Sequence, residues 1–388
     1  DLLTDLTSQG MLEPEGVNYD PYDKYQGSGK ILALIKAGER VEKASPGDEV
    51  EVVLPETPFY IEAGGQVADR GQINSLESTG WQINITDMRQ PTTGLIVHIG
   101  QVVRGEPTTG DSMLAKVDFH RRQDIMRNHT ATHLLHAELQ RVLGVHARQA
   151  GSLVAPDRLR FDFTHPEALT AEQLQAVEAG VNHHIYDNFP LDIVYKPLQE
   201  AIDDGAMALF GEKYAENVRT NSIGGEQRFS YELCGGTHVP ETAEIGTFLI
   251  TSESSVGAGL RRIEAVTGRK AYELVQQRFF QLQQTAGLLD SNVDQVVEKS
   301  RAILDQLAEA RRKINSLRRE LTSQDFHLLL EDVPLVNEIP VLIAELPGAD
   351  ADTLREMTDL FRERYPSSVI LLASVSNGRP LLVAAVTQ

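Results

Sequence analysis

The sequence predicts an α+β protein of several domains: a small β-barrel subdomain, a mixed α/β metal-binding subdomain, a helical hairpin or coiled coil, and part of a small α/β domain. Three observations carry this. Short β-like runs separated by Gly- and Pro-containing turns fill residues 29–118, a spacing suited to a small barrel or sandwich. Residues 119–267 mix amphipathic helices with alternating strands. The stretch 268–330 is helical, and Ile303, Leu307, Ala310, Ile314, Leu317 and Leu321 step by four and three residues, the seam of a coiled coil. Residues 331–388 then return to α/β texture. At 388 residues the chain can bury two or three cores.

In order along the chain, residues 1–28 lack a sustained period and are rich in Asp, Gly, Pro and Tyr, so they read as the tail of an upstream domain plus a linker. Asp1 in place of Met reads as a piece of something longer. Strands are expected at 31–35, 49–54, 81–87, 95–103 and 112–117. Within this region the run Gly64-Gly65-Gln66, with Asp69, reads two ways. It is a loop joining strands, or a place where backbone approaches a ligand that Gln66 and Asp69 bind. A helix spans 129–143 and stops at Gly144, with His136 as an ordinary helix side chain. A strand at 159–163 precedes a helix capped by Thr170 and Gln173 that runs to Tyr186, with His183 and His184 on solvated surface. A strand at 191–195, a helix at 198–209, and strands at 228–233 and 246–252 follow. Two antiparallel helices, broken at 287–292, come next, the second bearing Arg311, Arg312, Lys313, Arg318 and Arg319. The end reads strand, helix, strand, strand at 341–345, 351–365, 369–374 and 380–386.

Composition excludes some classes. No apolar run approaches the roughly 20 residues of a membrane span. One cysteine rules out an internal disulfide and fits a reducing, cytoplasmic setting. A net charge of −20 restricts any nucleic-acid contact to local basic patches, such as the pairs Arg121-Arg122 and Arg261-Arg262.

The chemistry concentrates in two half-motifs. His129 and His133 stand four apart, on one face of a helix, so both imidazoles can grip one ion. The only cysteine, Cys234, stands four residues before His238, across a Gly235-Gly236 pair that speaks for a tight turn. Three imidazoles and a thiolate are a borderline-soft set that suits one Zn²⁺ and neither calcium nor magnesium. Unlike an HExxH protease helix, this one has no Glu beside the first His, which argues against peptidase chemistry.

Several motifs together resemble one family. They are Thr57-Pro58-Phe59-Tyr60 with Gly64-Gly65-Gln66, Asn128 to His136, Gln149-Ala150-Gly151-Ser152-Leu153, Arg160-Phe161-Asp162-Phe163, Ala206 to Tyr214, Glu232 to His238, and Arg261-Arg262-Ile263-Glu264-Ala265. All resemble alanyl-tRNA synthetase in its editing domain, helical linker and partial C-terminal domain, and the free-standing editing relatives share the two metal half-motifs. The class II aminoacylation motifs are absent, so this stretch is not expected to activate alanine. The resemblance implies a zinc-dependent deacylase that hydrolyses seryl- or glycyl-tRNA(Ala). It implies Thr132 and Gln149 lining the editing pocket, with Cys234 counted in the same catalytic set; Gln66 and Asp69 from the Gly-Gly loop, and Arg261 and Arg262 as a basic pair, are expected to bind substrate. The implied partners are the acceptor end of tRNA(Ala) and a second copy of the chain through the C-terminal region. Two other readings stay open: a non-catalytic tRNA-binding or dimerisation module with structural zinc, and a free-standing editing deacylase.

Overall fold

The computed structural model describes residues 2–77, 80–208, 214–225, 228–376 and 378–387. They form two compact units, Asp1–Gln277 and Arg278–Gln388.

The first unit opens with α1 (Leu2–Ser8) and β1 (Asn18–Tyr19). Strands β2 (Gln26–Lys30), β3 (Ala33–Lys36), β4 (Glu39–Val41), β5 (Glu49–Val53), β6 (Glu56–Thr57), β7 (Gly71–Ser75), β8 (Gln82–Thr92), β9 (Leu95–Arg104) and β10 (Ser112–Val117) follow. Eight of them make one antiparallel sheet in the order β2-β10-β7-β8-β9-β5-β3-β4. The strands expected from alternation are all present, but the sheet is open and the expected barrel does not close. Its edges, β2 and β4, are not neighbours. β4 is three residues long and exposes Glu39 and Arg40, the charged short edge that discourages further pairing.

Residues 2–25 are no linker. Leu6, Leu12 and Val17 are buried in the same core as Ile31, Val52, Ile73, Ile83, Val97 and Met113. β1 pairs in parallel with β6, laying the chain from Asn18 onward against residues 56–57. Composition concealed this because a few apolar residues among polar ones are enough to anchor a segment without periodicity.

Next come α2 (Phe119–Leu143), β11 (Gln149–Val154), β12 (Leu159–Thr164), α3 (Ala171–Tyr186), β13 (Leu191–Pro197), α4 (Leu198–Asp203), β14 (Asn217–Ile223), β15 (Ser230–Leu233), β16 (Phe248–Gly257) and β17 (Leu260–Thr267). Helix α4 stops at Asp203, short of the expectation, and Leu209 lies outside the described residues. Helix α2 starts ten residues before the expected position, because the Asp118 side chain caps it by accepting from the Arg121 backbone N–H at 3.1 Å. α3 starts with the expected Thr170–Gln173 capping box. Antiparallel sheet β11-β12-β17-β16 and helices α2 and α3 enclose a second core of Leu134, Leu135, Leu139, Phe161, Phe163, Val177, Val181 and Ile263. A small antiparallel sheet, β13-β14-β15, delivers the chain to Cys234.

Helix α5 (Gly268–Leu288) runs across the division between the units, and the second unit further holds α6 (Val296–Leu329), β18 (Leu335–Val336), β19 (Ile339–Glu345), α7 (Ala351–Arg364), β20 (Ser368–Ser376) and β21 (Arg379–Thr387). The strand–helix–strand–strand order is as expected, with β19 parallel to β20 and β21 antiparallel. Phe326, Leu342, Leu354, Met357, Phe361 and Leu372 form its core. The seam of α6 is a different matter: Ile303, Leu307, Ile314 and Leu321 are 37%, 45%, 51% and 60% exposed. Within the second unit, no helix among the described residues covers that seam. No helix among them is long and apolar enough to cross a membrane.

Candidate metal centre

His129 and His133 project from one face of α2, one turn apart, with rings stacked at 5.4 Å between centroids. The other face of the same helix carries Ala131, Leu134, Leu135 and Leu139 into the second core, which fixes the helix rotation. Cys234 and His238 follow β15. The Cys234 backbone N–H donates to Arg219 O at 3.0 Å, continuing the pairing with β14. One Nε2, Nδ1 or Sγ atom from each of the four residues lies within 4.8 Å of the other three. Cys234 Sγ is 3.4 Å from His129 Nε2 and 3.3 Å from His238 Nε2. A tetrahedral zinc with bonds of about 2.0–2.3 Å sets its ligands about 3.3–3.6 Å apart, so these separations fit.

A second layer holds the rings. Glu232 accepts from His133 Nδ1 at 2.7 Å and from His136 Nδ1 at 3.1 Å. His133 Nε2 is buried without a hydrogen-bond partner, an orphan of the kind a bound ion satisfies. Thr130 Oγ1 lies 3.2 Å from His238 Nδ1 and accepts from the Val239 backbone N–H at 3.3 Å.

The electrostatics suit a cation. Burial raises the cost of charge on Cys234, but the imidazoles of His129, His238 and His133 outweigh it and pull the thiol well below its ordinary value. A thiolate is the ligand form. Burial likewise opposes charge on His133, yet Glu232 and Cys234 hold it up at about 10. At His238 burial wins over Cys234 and depresses it to about 3. Burial also works against Glu232, whose carboxyl His133 and His136 nevertheless keep well below the usual range.

The centre forms one wall of a cavity of about 370 Å³. Thr132 and Gln149, both singled out from sequence, line it together with His129, His133 and Cys234. Gln66, Asp69, Arg261 and Arg262 do not. Asp69 is buried in an ion pair with Arg122, and its Oδ2 also accepts from the Tyr60 backbone N–H at 2.7 Å. Arg261 is engaged by Glu253 at 2.5 Å, and Arg262 grips Asp162 through two bonds of 2.6 and 2.7 Å. These groups build the fold around the site and stand outside this cavity. His136 is buried rather than ordinary, and His184 stacks on Phe229 at 4.1 Å while bonding Glu138 at 3.0 Å.

Sequence reasoning missed Glu232, Tyr22 and Arg219. Glu232 stands two residues before Cys234, a spacing that puts both on one side of extended chain. Tyr22 was hidden in the supposed linker. Its hydroxyl donates to Gly235 O at 2.8 Å, and Arg219 lies over its ring at 4.2 Å while donating to Cys234 O and Gly236 O at 3.0 and 2.8 Å. Tyr19 and Tyr60 complete an aromatic wall.

Residues 6–121 match the model of class II (A) tRNA synthetases, a match that begins inside α1 and spans the eight-stranded sheet. Residues 218–264 match the second additional domain of threonyl and alanyl tRNA synthetases, the stretch holding Cys234 and His238. The chain is 44% identical over 370 residues to the alanine–tRNA ligase of Xanthomonas euvesicatoria pv. vesicatoria, covering 95% of this chain and 41% of that protein. It is 44% identical over 367 residues to the alanine–tRNA ligase of Desulforamulus reducens, again 95% of this chain and 41% of the relative. The likeness to alanyl-tRNA synthetase therefore runs through nearly the whole chain, which spans 41% of the length of these relatives.

Proposed function

We propose that this chain carries the editing site of an alanine–tRNA ligase, a zinc-dependent deacylase that cleaves the ester of serine or glycine wrongly attached to tRNA(Ala). The observation that carries this reading is a cavity whose wall combines His129, His133 and Cys234 with the polar side chains of Thr132 and Gln149. An alanine pocket excludes glycine and serine poorly, since small differences in side chain are worth roughly 1–3 kcal/mol, and a second hydrolytic site corrects the error.

The residues divide the work. His129, His133, Cys234 and His238 would hold Zn²⁺, which when bound polarises an ester carbonyl or orders the substrate. Four protein ligands make a closed set, so shaping the pocket is the larger share of that role. The Thr132 hydroxyl donates to Asn128 O at 2.8 Å, which leaves its lone pairs to receive a serine hydroxyl. Alanine offers no such donor, and burying it there would leave polar groups unpaired. Gln149 supplies an amide on the opposite strand, β11. Water is oriented by these neighbours and by the hydroxyls of the terminal ribose. The acceptor end of tRNA(Ala) would enter over the aromatic wall of Tyr19, Tyr22 and Tyr60. The exposed seam of α6 supports a homodimer contact through the C-terminal region, and such a protein works in the cytoplasm.

Single-turnover deacylation tests this. Seryl-tRNA(Ala) should lose its serine rapidly and alanyl-tRNA(Ala) should not, with the activity collapsing in Cys234→Ala and after chelation. Metal-loaded protein that binds tRNA(Ala) without releasing serine would refute the enzyme and leave a tRNA-binding module with a structural ion.

A further inference from the structure

Gln66 is fully buried and outside the cavity wall, yet it touches both halves of the metal centre. Its Oε1 accepts from the Thr237 backbone N–H at 2.9 Å and lies 2.6 Å from His129 Nδ1. Its Nε2 donates to Thr237 Oγ1, also at 2.9 Å. A backbone N–H can only donate, so Thr237 decides which end of the amide faces the centre. Facing an oxygen, His129 Nδ1 must carry the ring proton. The lone pair then resides on Nε2, the atom 3.4 Å from Cys234 Sγ.

Gln66 is itself held firmly. Gly65 adopts φ +81°, and a Cβ there would stand 2.5 Å from Ser152 O, so only glycine lets this loop lie against β11. Val154 N–H donates to Gly65 O at 2.7 Å, and Ala63 and Gln66 exchange backbone hydrogen bonds of 3.2 and 3.0 Å. The loop from the eight-stranded sheet thus presents one amide, rigidly, to α2 and to the Cys-Gly-Gly-Thr-His turn.

We infer that Gln66 is a positioning residue for the metal centre: its amide oxygen sets the His129 tautomer and ties the ligand helix to the turn bearing Cys234 and His238. This rests on the four-residue cluster holding an ion. It replaces the role of substrate ligand that the Gly-Gly-Gln pattern suggested. Outer-shell partners of ligating histidines commonly account for roughly 10–100-fold in metal affinity.

The test uses the full chain with Zn²⁺ in chelator competition and Co²⁺ as a visible probe, comparing wild type with Gln66→Leu, Gln66→Asn, Gln66→Glu and Cys234→Ala. Gln66→Leu should weaken Zn²⁺ binding by roughly 10–100-fold and alter the Co²⁺ ligand-field bands. Gln66→Asn, too short to reach His129, should do the same, and it decides the matter if the leucine variant does not fold. Gln66→Glu keeps an acceptor for both N–H groups and should restore most of the affinity. Wild-type affinity and spectrum in Gln66→Leu or Gln66→Asn would overturn the inference, as would a Gln66→Glu variant no better than leucine. A thiolate-to-cobalt band in wild type that disappears in Cys234→Ala supports the metal centre. A wild type that takes up neither ion removes the centre and this inference together.

Discussion

Gly235 and Gly236 look interchangeable in the sequence, and replacing each in turn with alanine should give opposite results. A methyl at Gly236 would stand 2.0 Å from His129 Cε1, 2.3 Å from His129 Nδ1 and 2.9 Å from Gln66 Oε1. Carbon contacts need about 3.5 Å or more, so the ring must retreat by about 1.5 Å. Metal–nitrogen bonds tolerate about 0.2 Å, and His129 would cease to be a ligand. Overpacking of this kind costs roughly 1–3 kcal/mol of stability before any metal is considered. The loss of metal affinity should be at least the roughly 10–100-fold of a lost outer-shell partner. At Gly235 the nearest heavy atom to a new methyl is Tyr22 Oη at 4.0 Å, an ordinary contact. Neither glycine has a positive φ, so backbone strain confuses neither substitution. Urea denaturation in chelator reads the steric cost alone, and Zn²⁺ competition reads the ligand loss. Gly235→Ala should stay within about 0.5 kcal/mol of wild type with unchanged metal affinity. Equal behaviour of the two variants, benign or damaging, would refute the packing argument.

Two further outcomes follow from buried groups, Arg122 on α2 and His98 on β9. Arg122→Leu strands the Asp69 carboxylate and frees the carbonyls of Pro21 and Pro58, which the guanidinium holds at 2.5 and 2.9 Å; unfolding should become easier by roughly 3–5 kcal/mol. A urea midpoint near that of wild type would show the pair to be dispensable. His98 is enclosed, its Nδ1 donating to Val52 O at 3.1 Å and its Nε2 accepting from Thr57 Oγ1 at 2.7 Å. Burial depresses it from 6.5 to about 4. The unfolded chain therefore binds the proton first as pH falls, so stability is full above about pH 6.5 and declines toward pH 4, by about 3 kcal/mol in all. Urea midpoints across that range should fall more steeply for wild type than for His98→Asn, and parallel curves would count against this assignment.

Local chemistry was legible in the sequence, and remote chemistry was not. His129 and His133 declare themselves because four residues make nearly one helical turn, and Cys234 and His238 because a lone cysteine beside a histidine is conspicuous. The strands of the large sheet were legible from alternation, yet alternation cannot say whether the first and last strands meet, so an open sheet and a closed barrel read alike. The charged three-residue β4 was the available clue. Tyr22 was out of reach for the opposite reason: it belongs to no repeating pattern, and its importance comes from Gly235, 213 residues away. Gln66 shows the limit most clearly. Its pattern, a polar side chain after two glycines, fits a strand-joining loop and a ligand contact equally well. Only its partners show where it sits: its amide oxygen bonds the Thr237 N–H and lies against His129 Nδ1, outside the cavity wall. The Gly235-Gly236 pair teaches the same point in reverse. A tight turn was the expected reason for two glycines, but neither has a positive φ. What excludes a side chain at Gly236 is the His129 ring, so that glycine belongs to the candidate metal site along with the four residues that could hold an ion.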